Sequence, residues 1–246
     1  MIADSLKKIG MTMFIVCVMQ IASSIGPIST SSAQEEGEEY IPPFCTGDAA
    51  AGPVKCNYNN GDNYFGSFSN GVPNGRGIYV YANGDRYEGL FSGGRPNGEG
   101  TFIFADDGRY EGTFENGNIV RGKAIFPDGS RYEGTFRLVQ DISSGDISSQ
   151  PAGQGQFVFS NGDRYVGEFF AGQPFGQGTL TRVDGTRCQG RFFNENLDAN
   201  GSCTFPNGTR YEGELRQGLP HGQGVLIDSN GRRFPGEFRE GQRIEL

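Results

Sequence analysis

The chain contains no tryptophan, one histidine and five cysteines, and beyond its N-terminal segment it has no long apolar run. Each shortage excludes something. With His221 as the only imidazole, a histidine metal cluster cannot be assembled, and a Ser-His-Asp arrangement would rest on one residue beside a turn glycine. Carboxylate pairs such as Glu111 and Glu115 are what any acidic strand protein carries. Aliphatic residues are too sparse for a thick helical core. No GxxxxGK[ST] occurs, and each GxG leads into another apparent strand instead of a helix N-terminus, so a phosphate-cradling loop and nucleotide binding are excluded. A formal net charge of −8 disfavours nucleic acid and nonspecific attraction to anionic membranes.

What is present is glycine, 41 of 246 residues, with 20 Phe and 10 Tyr. That composition suits a thin aromatic layer. At the N-terminus, Lys7 and Lys8 precede an apolar run from Ile9 to Ala22 and a small polar stretch ending Ser31-Ser32-Ala33, the pattern of a secretory signal peptide over residues 1–33. The run is broken by Gln20 and is shorter than the roughly 20 apolar residues of a comfortable span, so cleavage between Ala33 and Gln34 is expected, with retention as an N-terminal anchor the alternative. Val16 before Cys17 does not fit a lipoprotein site. Cleavage removes Asp4, Lys7 and Lys8, taking the charge from −8 to −9, and leaves Cys45, Cys56, Cys188 and Cys203. An even cysteine set in an exported, secreted or periplasmic chain implies two disulfides. Residues 34–44, QEEGEEYIPPF, read as an acidic linker.

The rest of the chain repeats. Anchored on the tyrosine of NGDRYEG, the equivalents are Tyr64, Tyr87, Tyr110, Tyr132, Tyr165, Cys188, Tyr211 and Phe234, spaced 23, 23, 22, 33, 23, 23 and 23. A fixed period in this range means stacked supersecondary units. In YEGLF, Tyr87, Gly89 and Phe91 share one face of a strand; SGGRPN supplies turn chemistry; GEGTFIF forms a second strand. Asn-Gly at Asn83, Asn161, Asn207 and Asn230, and Asp-Gly at Asp107, Asp128 and Asp184, predict tight returns with positive φ. Glycines twelve and ten before the anchors, such as Gly75 with Gly77, Gly98 with Gly100 and Gly153 with Gly155, leave room for rings. Phe68, Phe91, Phe114, Phe136, Phe169, Phe192 and Phe238, with Leu215, are expected to form one ladder and the tyrosines a second.

These residues resemble the MORN (membrane occupation and recognition nexus) repeat, a unit of YxGxW, a turn, GxG and an apolar strand; Tyr211-Glu-Gly213 and His221-Gly-Gln-Gly224 match it closely. The tryptophan position holds Phe or Leu in every unit. The resemblance implies an all-β, elongated antiparallel sheet of consecutive hairpins, and association with a protein or a membrane surface, including phospholipid head groups. Some plant lipid kinases carry such repeats before a kinase domain, but no kinase residues stand here.

The repeat domain is read over residues 45–246: a shortened cap unit 45–63, units starting at 64, 87, 110, 132, 165, 188 and 211, and a partial unit 234–246. Cys56 and Cys203 occupy one column, eight before their anchors, and their expected partners are Cys45 and Cys188. The long unit carries an insertion at about residues 138–151, read as a loop around DISSGDISSQP, a candidate binding face or a tolerated surface loop. Arg86, Arg109, Arg131, Arg164, Arg187, Arg210 and Arg233 each precede an anchor and fall on the face opposite the tyrosine. Beside each stands the residue two later, Glu in four cases, so the stripe is either a solvating Arg/Glu ladder or a guanidinium site for phosphates or acidic polymers, most exposed at Arg164 and Arg187. Asn200-Gly-Ser202 and Asn207-Gly-Thr209 fit the glycosylation sequon. The expected function is a non-enzymatic scaffold outside the cytoplasm, without cofactor or metal, with a glycan-binding module using exposed aromatics as the alternative.

Overall fold

The structure, a computed structural model, describes residues 42–140, 145 and 147–244. The signal peptide read over residues 1–33 and most of the linker lie outside these residues. A cap hairpin pairs β1 (Phe44–Thr46) with β2 (Val54–Asn57). The units that follow are β3 (Asn63–Ser69) with β4 (Val72–Val80), β5 (Arg86–Ser92) with β6 (Arg95–Ile103), and β7 (Arg109–Glu115) with β8 (Asn118–Ile125). Next come β9 (Arg131–Gln140) with β10 (Ile147–Val158), β11 (Arg164–Phe170) with β12 (Gln173–Thr181), and β13 (Arg187–Phe192) with β14 (Ala199–Thr204). The array ends with β15 (Arg210–Arg216) and β16 (Leu219–Ile227), then β17 (Arg233–Arg239) with the short β18 (Gln242–Arg243).

Every strand pairs antiparallel with the next in sequence, making one 18-stranded meander. The shortened cap unit is a two-stranded hairpin, and the partial C-terminal unit ends in the short β18. The insertion is not a loop. It lengthens β9 and β10 into a projecting hairpin paired from Thr135 with Ala152 out to Gln140 with Ile147. Asp141 and Asp146 at its tip lie outside the described residues.

The two kinds of turn are also exchanged relative to expectation. The two-residue returns lie inside the units, at Asn70-Gly71, Gly93-Gly94, Asn116-Gly117, Ala171-Gly172, Gln217-Gly218 and Glu240-Gly241, where both residues have positive φ. Arg95, Pro96 and Asn97, read as turn, belong to β6. The Asn-Gly and Asp-Gly sites lie in wider returns between units. There Gly84 N–H donates to the Tyr81 carbonyl and Tyr81 N–H to the Asp85 carbonyl. Only the residue three before the anchor takes positive φ, and in the third unit this is Asp107 (φ 69°), with Gly108 one place too late.

Within the hairpins a bulge recurs. Between Gly66 opposite Gly77 and Phe68 opposite Pro73, one residue of β3 faces three of β4, and Gly75 among the three takes φ +94°. The same irregularity follows Gly89 and Gly167, with Gly98 and Gly176 in the left-handed region. Such a bulge bends the strand and leaves backbone groups unpaired. The anchor tyrosine satisfies one of them: Tyr64 Oη donates to the Ser67 carbonyl (2.6 Å), Tyr132 to Thr135 (2.9 Å) and Tyr165 to Glu168 (3.1 Å). The ring then lies over the glycine pair beneath it, so a Cβ on Gly77, Gly100, Gly155 or Gly178 would collide with it. The GxG glycines thus divide their roles: the first bends the strand, and the second makes room for the ring.

The rings form one interdigitated row instead of two ladders. Tyr87 meets Phe91 and Phe114 edge-on, both at 5.1 Å, and Tyr165 meets Phe169 at 5.2 Å and Phe192 at 5.0 Å. Each tyrosine therefore ties its own unit to the next, by contacts worth about 0.5–1.5 kcal/mol beyond area burial. At β13 the anchor is Cys188, and the Cys188–Cys203 disulfide takes the place of the ring. The second bridge, Cys45–Cys56, closes the cap. Both join residues directly opposite in register, as the column argument predicted.

Candidate functional site

One face of the sheet is given over to the ring row; Tyr87, Tyr132, Tyr165 and Tyr211 are completely buried. Period two places the arginines on the other face, which no segment among the described residues covers. Register sets them in a single line across the sheet. Arg86 stands opposite Val80 and Ile103, Arg131 opposite Ile125 and Val158, Arg187 opposite Thr181 and Thr204, and Arg233 opposite Ile227. A β-branched residue therefore separates each guanidinium from the next. The predicted stripe is one continuous row.

Its members differ in what neutralises them. Arg86 pairs with Glu88 and Arg109 with Glu111, both at 2.7 Å, as the two-residue spacing suggested. Glu133 instead turns to its direct cross-strand neighbour Lys123 (3.8 Å), and Glu212 reaches Arg233 (3.0 Å). The expected pairs Arg131 with Glu133 and Arg210 with Glu212 are absent, each carboxylate being taken by a cation on another strand. Arg164 donates to the Gln156 side-chain oxygen (2.6 Å), and Gln189, with its amide turned to present oxygen, accepts from Arg187 at 2.8 Å. Amides orient these two guanidiniums without cancelling their charge. The uncompensated stretch runs Arg131, Arg164, Arg187, Arg210, two residues wider than the sequence indicated. Beside Arg131 the surface dips into a shallow hollow lined by Lys123, Ile125, Glu133 and Gln156.

The sequence reading passed over a set of aspartates with a joining role. Asp62, Asp85 and Asp163 accept the backbone N–H of Ala82, Ala105 and Val183 in the next unit, at 2.8, 2.9 and 3.0 Å. Asp62 also receives the Tyr79 hydroxyl at 2.7 Å. The Asp of NGD, two before the anchors Tyr64, Tyr87 and Tyr165, was the available signal. His221 lies in β16, its carbonyl accepting from Tyr211 Oη at 2.9 Å, and has a structural place. Asn207 accepts from Thr209 N–H and its hydroxyl within an exposed turn, whereas Asn200 lies inside β14. Among the described residues, no group of three or more His, Cys, Asp and Glu side chains could hold a metal.

Comparison with known proteins agrees on the repeat. A search of curated proteins finds no match. Among solved structures, similar chains include the TCP domain of Drosophila melanogaster SAS-4 in complex with a proline-rich motif of Ana2 (12% identity, 87% of this chain, 99% of that one, TM-score 0.40). The TCP10 domain of Danio rerio CPAP with a STIL peptide is 16% identical, covering 76% of this chain and 84% of that one, TM-score 0.30. Likenesses this distant carry nothing over to this chain. The MORN repeat family model matches residues 64–86, 87–109, 110–131, 149–164, 165–187, 188–210 and 211–232. Six of the seven segments begin at an anchor, and the other, 149–164, covers the second half of the long unit anchored on Tyr132. With seven matched units covering more than half its length, the chain belongs to the MORN-repeat family.

Proposed function

We propose that the chain is a non-enzymatic binding scaffold outside the cytoplasm, presenting its arginine-bearing face to a protein partner or an envelope surface. The observation that carries this reading is the division of labour between faces. The ring face is consumed by internal packing, and among the described residues no segment packs over the opposite face. Pairing of Cys45 with Cys56 and Cys188 with Cys203 supports an oxidising compartment. The net charge argues against loose attraction to anionic lipid, so a membrane role would depend on head-group recognition.

The test is flotation of the purified protein with neutral, anionic and phosphoinositide vesicles at two salt concentrations, alongside cross-linking in its native host. Cross-linked protein without flotation selects the protein-scaffold form; salt-resistant flotation with phosphoinositide selects head groups. The aromatic-stacking alternative is narrowed: most of the ladder rings are buried, which among the described residues leaves Phe44, Phe65, Phe170, Phe175 and Phe193 exposed. Phe170 and Phe175 stand 6.0 Å apart, the best platform available to it.

A further inference from the structure

We propose that the uncompensated stretch Arg131, Arg164, Arg187, Arg210 binds a linear acidic polysaccharide laid across the strands. The inference rests on the reading of this face as a binding surface, but not on the compartment.

The first argument is spacing. The four arginines sit on alternate strands β9, β11, β13 and β15, so neighbours are about 9.6 Å apart and the row is about 29 Å long at about 4.8 Å per strand. Two strand spacings are close to the length of one disaccharide in an extended β-linked chain. A polymer with one carboxylate per disaccharide therefore presents its charges in step with the row. The second argument is the neighbouring chemistry. The next positions along the strands form a row from Glu133 to Glu212, and between those ends it holds Gln156, Thr179, Gln189 and Ser202, neutral donors and acceptors suited to sugar hydroxyls, with Val166 the one apolar exception. The carboxylates that end this row, Glu133 beside Arg131 and Glu212 beside Arg210, engage Lys123 and Arg233, and Glu168 and Glu214 stand two residues further along their strands.

The third argument is shape. A sheet twisting by about 20° per strand turns its face by about 40° from one arginine to the next, so a planar bilayer touches only part of the row while a chain with its own twist follows it. Each contact is a charge-assisted, directional guanidinium–carboxylate pair, and a few acting together set affinity and salt dependence.

The experiment measures binding of the full chain to a hyaluronan octasaccharide, a hyaluronan tetrasaccharide, a neutral N-acetylglucosamine oligomer, and vesicles of equal parts phosphatidylglycerol and phosphatidylcholine. The octasaccharide binds more tightly than the tetrasaccharide, and the neutral oligomer does not bind. Arg131→Gln/Arg164→Gln/Arg187→Gln/Arg210→Gln together weaken octasaccharide binding by about tenfold or more, whereas Arg86→Gln/Arg109→Gln/Arg233→Gln changes it by less than about twofold. Unchanged thermal midpoints confirm that both variants are folded, since the side chains replaced lie on the solvent-facing side of the sheet. Equal losses in the two variants overturn the site. A chain that ignores oligosaccharide yet floats with the vesicles, or keeps a cross-linked protein on this face, overturns the glycan and leaves the scaffold standing. One that engages none of these removes both.

Discussion

At the residue scale, the unit is organised by one contact: a tyrosine ring lying on a glycine that has no side chain. Gly100→Ala places a methyl group against the Tyr87 hydroxyl and should cost about 1–3 kcal/mol, read as a lower urea midpoint. Tyr87→Phe keeps the ring but leaves the Leu90 carbonyl without its 3.1 Å donor, at about 1–2 kcal/mol. No loss in either variant would mean that the ring is carried by its neighbours and not by this contact. Burial also pushes the Tyr64 hydroxyl up to about 12, and those of Tyr87, Tyr132, Tyr165 and Tyr211 upward. The neutral ring is thus favoured in the folded state. Its contribution is whole below about pH 10, the unfolded value, and is lost as pH rises from there toward the folded value. Alkaline titration should show tyrosinate absorbance appearing together with loss of strand circular dichroism; gradual ionisation of an intact fold would contradict it.

At the element scale, the exceptions explain the rule. Where Val120 or Ala199 replaces the first glycine of GxG, β7–β8 has a different, smaller irregularity and β13–β14 has none. The anchors, their period and both disulfides were legible because each depends on residues a fixed distance apart along one strand or column. The turn lengths were not, because both returns carry Asn, Asp and Gly, and only the backbone distinguishes which glycine needs positive φ. The partners of Glu133 and Glu212 were hidden for a related reason: alternation says which residues share a face, but only the register between strands sets which cations stand across from them. The C-terminal edge follows the same logic. On the outer side of β17, Pro235 lacks an N–H, Arg243 donates to its carbonyl at 2.7 Å, and Ile244 N–H takes the Glu237 carbonyl at 2.8 Å. Pro235→Glu with Arg243→Ala reopens this edge, and the expected result is concentration-dependent self-association by light scattering. An unchanged mass would show that something else closes it.

At the scale of the whole molecule, units touch mainly their neighbours, Arg182 reaching one unit further to donate to the Gln217 carbonyl at 2.7 Å, so stability is close to a sum of local terms and the two disulfides act on separate segments. The bridges span 11 and 15 residues in sequence, and reduction should destabilise their hairpins by up to about 3 kcal/mol each. Hydrogen exchange under reducing conditions should rise first in β1–β2 and β13–β14, with the tyrosine-anchored hairpins still protected. Uniform loss of protection would instead mean that the array unfolds as one cooperative body.

Because the strands follow chain order, Phe44 and Arg243 lie on the opposite edge strands of the sheet. The molecule is therefore a tether as well as a surface. Tension applied between its ends runs along the inter-strand hydrogen bonds and opens them in succession, a zipper and not a shear clamp. Each released unit lengthens the chain by its 22 or 23 residues, or by 33 in the long unit, except where a disulfide withholds part of the slack, so two of the hairpins yield shorter steps than the rest.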